Sequence, residues 1–290
     1  MHGVTTSVPD TALVLAGGGV AGIAWELGVL RGLADADPAL ADRVLAADLV
    51  VGTSAGSAVA AQVTSGVPLD ELYAAQLRPE TAEIEVDVDL PALVASINAA
   101  MAGATGPEDA GRRIGALALA APTTDPAPRL AAIDARLPVK TWPERRLLVA
   151  AVDARSGELA VLTRDSGVAL VDAVAASCAV PGVWPPVVVD GRPLIDGGTR
   201  SMANSDLASG AGRVLVVLPA LEGAPALWGS SLDAELAALA PSAVHVVYAD
   251  QASIDAFGTN ALSPATRAAS AQAGRAVGAA HAEAVAALWG

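Results

Sequence analysis

The sequence predicts an α/β protein with a mainly parallel central sheet, helices on both faces and a helical insertion. Two repeats of one local grammar carry that prediction. Residues 12–16 (ALVLA) form a short, unbroken apolar run, as in a strand buried on both faces. Gly17-Gly18-Gly19 follows, and then a helical pattern from Val20 to about Asp35 with Ile23, Leu27, Leu30 and Leu33 on one face. Residues 48–51 (DLVV) repeat the strand, Gly52-Thr53-Ser54-Ala55-Gly56 repeats the turn, and an alanine-rich helix runs to about Thr64. Strand, turn, helix in succession is how parallel sheets are wound.

The remaining elements follow from similar signals. Between about residues 79 and 138 the character changes to helical stretches punctuated by Pro107, Pro122, Pro126, Pro128 and Pro138. Residues 86–101 and 108–121 read as helices, with Asp89 as an N-cap and Gly103 as a stop. The whole stretch reads as an insertion or lid within a single domain spanning 1–290. Sheet signals resume at residues 146–153 and 158–163, around a turn at Ser156-Gly157, followed by a helix over about 169–179. Residues 187–189 and 193–195 flank Asp190-Gly191, a two-residue hairpin signal. Residues 213–218 and 243–248 add two strands, and residues 264–289 a terminal helix begun by a Ser263 cap with Pro264 at its first position.

Composition narrows the function classes. With 53% hydrophobic residues among 290, disorder is excluded. A net charge of -14 repels phosphate backbones, so binding to nucleic acid through a basic surface is not expected. Cys178 is the only cysteine, so there is no disulfide scaffold, and a reducing compartment fits. The stretch MHGVTTSVPD has no basic and apolar leader pattern, and Asp172, Pro181, Pro185 and Pro186 interrupt the longest apolar run. A cytoplasmic location is therefore expected.

Three motifs carry chemistry. Gly17 to Gly22 fits the dinucleotide pattern G-x-G-x-x-G, but the second strand ends in Val51-Gly52-Thr53-Ser54 with no acid for a ribose hydroxyl. A nucleotide-binding oxidoreductase is thus the weaker reading of that loop. The same glycines can turn backbone N–H groups into one concavity beside a helix N-terminus, a nest for an oxyanion. Gly52-x-Ser54-x-Gly56 between strand and helix has the form of a nucleophile elbow, where the glycines relieve crowding around an exposed serine hydroxyl. A base must activate that serine. Of three histidines, His2 lies in the N-terminal tail, His245 in an apolar strand that suits a structural histidine, and His281 in the terminal helix, where a solvated face is expected. A Ser54–Asp–His281 triad has the chain order of α/β-hydrolases and stays open. The alternative is Asp196, which ends a short strand and precedes Gly197-Gly198; alone it is equally an ordinary Asp-Gly turn.

Together, ALVLAGGGVAG, GTSAGS and DGG in this order resemble the patatin-like phospholipase family. The segment AASCAVPGVWPPV before the aspartate adds to the likeness, and Asn204 and FGTNALSP are softer echoes. The resemblance implies a patatin-like three-layer fold and a Ser–Asp dyad acyl hydrolase acting on phospholipid, lysophospholipid or other fatty-acyl esters. Ser54 would be the nucleophile, Asp196 the proton acceptor, and the amides of Gly17, Gly18 and Gly19 the oxyanion hole. Gly22, Gly52, Gly56, Gly197 and Gly198 would support these motifs, and no metal or cofactor is called for. Two positions depart from the family: Ala21 stands where a basic residue is usual, and Ser205 where proline follows the asparagine.

Other features read more plainly. Glu83, Glu85, Asp87 and Asp89 alternate with apolar residues and suggest a solvated acidic face rather than a calcium site. Trp25, Trp142, Trp184, Trp228 and Trp289 are expected in core or cavity walls, and Cys178 in inert core. The acidic charge and the absence of a basic amphipathic helix disfavour anionic membrane surfaces, leaving transient membrane or micelle contact.

Overall fold

The computed structural model describes residues 9–122, 125–225 and 231–290. His2 and Trp228 lie outside the described residues. The strands are β1 (Thr11–Leu15), β2 (Leu49–Thr53), β3 (Arg146–Asp153), β4 (Leu159–Leu162), β5 (Val187–Val189), β6 (Arg192–Asp196), β7 (Arg213–Leu221) and β8 (Ala243–Ala249). They form one sheet of order β5-β6-β3-β2-β1-β7-β8, with β4 also on β3. The run from β3 to β8 is parallel, and β4, β6 and β5 add antiparallel pairs.

Helices cover both faces. In order they are α1 (Gly19–Ala36), α2 (Pro38–Leu45), α3 (Ala55–Val63), α4 (Leu69–Leu77), α5 (Leu90–Met101), α6 (Pro107–Ala120), α7 (Pro126–Arg136), α8 (Leu170–Ser177), α9 (Leu232–Ala238), α10 (Gln251–Phe257) and α11 (Arg267–Trp289). Leu13 and Leu15 of β1 point into a core shared with α1, α3, α8 and α11. Ala12, Val14 and Ala16 point the other way, beneath α9 and a 3-10 turn at Ser205–Ala208. The period-2 alternation is real but invisible in the sequence, because both faces are apolar. The expected three-layer α/β fold is therefore present.

Helices α5 and α6 of the insertion place Ile97, Ile114 and Ala118 against Val152 of β3 and Ile195 of β6. The helix expected over 86–101 starts only at Leu90, where the Asp89 carboxylate caps the Ala92 amide, and residues 86–89 are not helical. Gly103 ends it with φ +73, as expected. Helices α2 and α7 escaped the sequence reading, although Asp37-Pro38 and Asp125-Pro126 are both cap-plus-proline starts. The Asp190-Gly191 turn has φ 49 and 76 and connects β5 to β6, as read.

Candidate active site

The topology of β3 brings two distant chain segments together. Ala150 pairs with Thr53 of β2 and Val161 of β4, while Ala151 pairs with Asp196 of β6 and Ala160 of β4. Since β4 holds one edge of β3, β2 and β6 must share the other, end to end. Their facing ends are Thr53 and Asp196. Ser54, the next residue after β2, thus meets an aspartate 142 positions away: its hydroxyl donates to Asp196 Oδ2 at 2.7 Å.

The turn holds Ser54 in an uncommon conformation, φ 52 and ψ -116, between β2 and α3. A non-glycine residue there is strained and persists only when its surroundings enforce it. The enforcement is local. Ser177 Oγ donates to the Ala150 carbonyl at 2.6 Å and accepts the Ser54 amide at 2.9 Å, and Ser57 Oγ donates to the Ser54 carbonyl at 2.7 Å. Gly56 passes so close to β1 that a Cβ there would lie 2.0 Å from the Leu15 carbonyl oxygen, and one at Gly52 would lie 2.5 Å from Ser57 Cα. Gly22 packs against Ala55, which lets α1 approach α3. Ser177 was missed in the sequence; its only signal was its place in the segment before the aspartate.

Asp196 is almost wholly buried, at 5% exposure. Burial pushes its carboxyl up to about 6, against the opposing pull of the Ser54 hydroxyl, the Gly198 amide and the Arg129 charge. Gly198 N donates to Asp196 Oδ1 at 2.7 Å. Gly197 runs against β3, where a Cβ would lie 2.4 Å from the Ala150 carbonyl oxygen. Asn204, fully buried, ties both motifs together: its Nδ2 donates to Thr53 Oγ1 at 3.1 Å and to the Gly197 carbonyl at 3.2 Å. Ser205 donates through both its amide and its hydroxyl to Glu235, two bonds of which proline could make neither.

The glycine loop corrects one expectation. The Gly17 amide donates to the Met202 carbonyl at 2.7 Å, so it is not free to bind an oxyanion. Among the described residues, the amides of Gly18 and Gly19 have no such partner. The segment FGTNALSP lies on this loop: the Ala21 amide donates to the Ala261 carbonyl at 2.9 Å, and Gly19, at φ +66, packs against Ala261 and Leu262. The chain thus packs on the end of this loop, at Gly19 and Ala21. Ala21 is fully buried.

The histidines are elsewhere. His245 Nε2 and His281 Nδ1 are 3.1 Å apart, linking β8 at the sheet edge to α11 rather than to Ser54. His281 is therefore not on a freely solvated helix face. Over Ser54 lies a narrow cavity of about 20 Å³ walled by Ile84, Arg129, Arg136, Cys178, Trp184 and Leu262. It adjoins a larger one of about 480 Å³ that shares Val20, Ile23 and Arg136. The acidic-face expectation fails at Glu83, whose two carboxylate oxygens accept from Arg136 Nε at 2.8 Å and Nη2 at 2.6 Å. Burial opposes both charges, but each holds the other ionised. Cys178 is buried against the Ser54 carbonyl, and burial pushes its thiol pKa up.

The family model for patatin-like phospholipase matches residues 13–208, which run from β1 through both halves of the Ser54–Asp196 contact. The chain belongs to the patatin-like phospholipase family. Among solved structures, this patatin-like chain is similar to VipD from Legionella pneumophila, with 13% identity and a TM-score of 0.39, over 86% of this chain and 53% of that one. The chain thus spans about half of VipD's length. No curated protein matches it.

Proposed function

We propose that this patatin-like protein hydrolyses fatty-acyl esters, of the phospholipid, lysophospholipid or neutral lipid class, with Ser54 and Asp196 acting as a dyad. The observation that carries the reading is the 2.7 Å hydrogen bond from a strained serine at a helix N-terminus to a buried carboxylate. Ser54 Oγ attacks the ester carbonyl and passes its proton to Asp196. The tetrahedral oxyanion is met by the amides of Gly18 and Gly19. Collapse releases the alcohol, which takes the proton from Asp196 and leaves acyl-Ser54. Water then attacks the acyl carbonyl and gives its proton to Asp196. Ser54 Oγ takes that proton as the fatty acid departs.

The carboxyl, lifted toward neutrality by burial, suits a proton acceptor that must return the proton within one cycle. The insertion acts as a lid, since Ile84, Arg129 and Arg136 from it narrow the space over Ser54. The test is covalent labelling with a fluorophosphonate followed by peptide mapping. Ser54 is expected to carry the label, and Ser54→Ala to lose both label and esterase activity. Activity persisting in Ser54→Ala sinks the reading. The triad alternative is weighed by His245→Ala and His281→Ala, neither of which is expected to reduce turnover as Asp196→Asn does.

A further inference from the structure

The two arginines over Ser54 are in different electrostatic states. Arg136 is fully engaged, its Nε and Nη2 each donating to one oxygen of Glu83. Arg129, near the start of the same helix, makes no hydrogen bond or ion pair among the described residues, and its Nε is shut off from solvent without an acceptor. Its guanidinium lies over the Trp184 ring, 4.2 Å from the centroid. The nearby carboxylates are already committed. Glu83 gives both oxygens to Arg136, and Asp196 accepts from Ser54 on one oxygen and from the Gly198 amide on the other.

A largely desolvated guanidinium without an anion is unfavourable, and more so in a chain where 31 acids outnumber 17 basic residues. Burial draws its pKa down to about 10, which still leaves it charged at neutral pH. Trp184 offsets part of the desolvation through its ring face. A guanidinium that contacts a ring face still has N–H groups to offer an oxyanion. The glycine loop has no basic residue of its own, so the cations of this cavity come from α7 alone.

We propose that Arg129, held on Trp184, is an anion-recognition subsite that receives an oxyanion carried by the substrate close to its scissile ester. The proposal rests on the acyl-hydrolase reading above, and it narrows the substrate class to esters bearing a phosphate or carboxylate near the acyl group. Arg129 then sets specificity, and Arg136 with Glu83 forms the neutralised wall behind it.

The test compares kcat/KM for substrate pairs that share an acyl chain. One pair is 1-acylglycerol 3-phosphate against 1-monoacylglycerol; the other is an acyloxyacetate against its ethyl ester. In the intact protein at least one charged member is expected to be preferred, and the responding pair tells phosphate from carboxylate. Arg129→Gln is expected to lower that preference at least tenfold, chiefly through KM, and Arg129→Lys to restore part of it. A charged-to-neutral ratio unchanged by Arg129→Gln overturns the proposal and leaves Arg129 a role in packing or in setting the charge of Asp196. A second arm does without turnover: octyl phosphate and octanoate, below their micelle concentrations, are titrated calorimetrically into Ser54→Ala. Binding of at least one is expected to weaken at least tenfold when Arg129→Gln is added. Equal binding of both, with circular dichroism unchanged, also overturns the subsite. If the intact protein hydrolyses no ester, the acyl-hydrolase reading fails, while the calorimetry still decides the subsite.

Discussion

Asp196 illustrates how one residue's environment sets both activity and stability. A carboxyl raised from 3.8 to about 6 is protonated below that value and cannot accept the Ser54 proton. Esterase kcat/KM is therefore expected to rise with pH through an apparent pKa of about 6 and then level off; a flat profile between pH 5 and 7 would contradict the dyad. Stability runs the opposite way. Between about pH 4 and 6 the folded state keeps a proton that the unfolded chain releases, so this group's contribution falls as pH rises through that window. The rise corresponds to at most about 3 kcal/mol. Asp196→Asn is expected to cut turnover by about 10³-fold or more while gaining stability over the parent as pH rises from 4 to 7, as read by urea unfolding. At this scale the sequence was partly legible. The Gly-x-Ser-x-Gly motif pointed to Ser54 as a local backbone requirement, while Asp-Gly-Gly pointed to Asp196 only together with the other motifs. Ser177, Asn204 and the Met202 carbonyl were not legible as parts of one site, because their partners lie on distant strands.

Helix pairing shows the same division at the level of elements. Helices α1 and α11 touch through Gly28, Gly32, Gly274 and Gly278, two small-residue ridges spaced four apart. A Cβ at Gly32 would lie 2.0 Å from the Arg275 carbonyl oxygen, and one at Gly278 equally close to that of Val29. Each glycine of one helix thus lies on the backbone of the other, which neither amphipathic pattern foretold. Gly278→Ala is expected to force the helices apart and cost about 3 kcal/mol by urea unfolding, the range for overpacking a tight interface. Gly106→Ala, with no atom within 4 Å of the new methyl, should stay within about 1 kcal/mol. A small effect at Gly278 would mean that the pair is not tightly packed. Continuous apolar runs and the Asp190-Gly191 turn made most strands readable. Short helices such as α2 and α7 were hidden because their prolines read as breaks instead of first-turn residues.

For the whole molecule, a charge of -14 and a cationic cavity act at different ranges. Long-range repulsion governs docking to surfaces, while Arg129 acts only on a group already inside. Among the described residues no helix is long and apolar enough to cross a membrane. Sedimentation with vesicles is accordingly expected to show no more binding to phosphatidylglycerol-containing bilayers than to phosphatidylcholine ones at low salt; a marked preference for the anionic vesicles would reveal a basic docking face that the net charge conceals. By itself the sequence determined the α/β class, the glycine turns and Ser54 and Asp196 as candidates, since short apolar runs and tight turns are set by near neighbours along the chain. Only the tertiary structure decided that β2 and β6 meet end to end on β3, that Met202 takes the Gly17 amide, and that α7 hangs over Ser54 an arginine unpaired among the described residues. Those outcomes depend on which distant backbones approach and which charges find partners, and no local pattern encodes either.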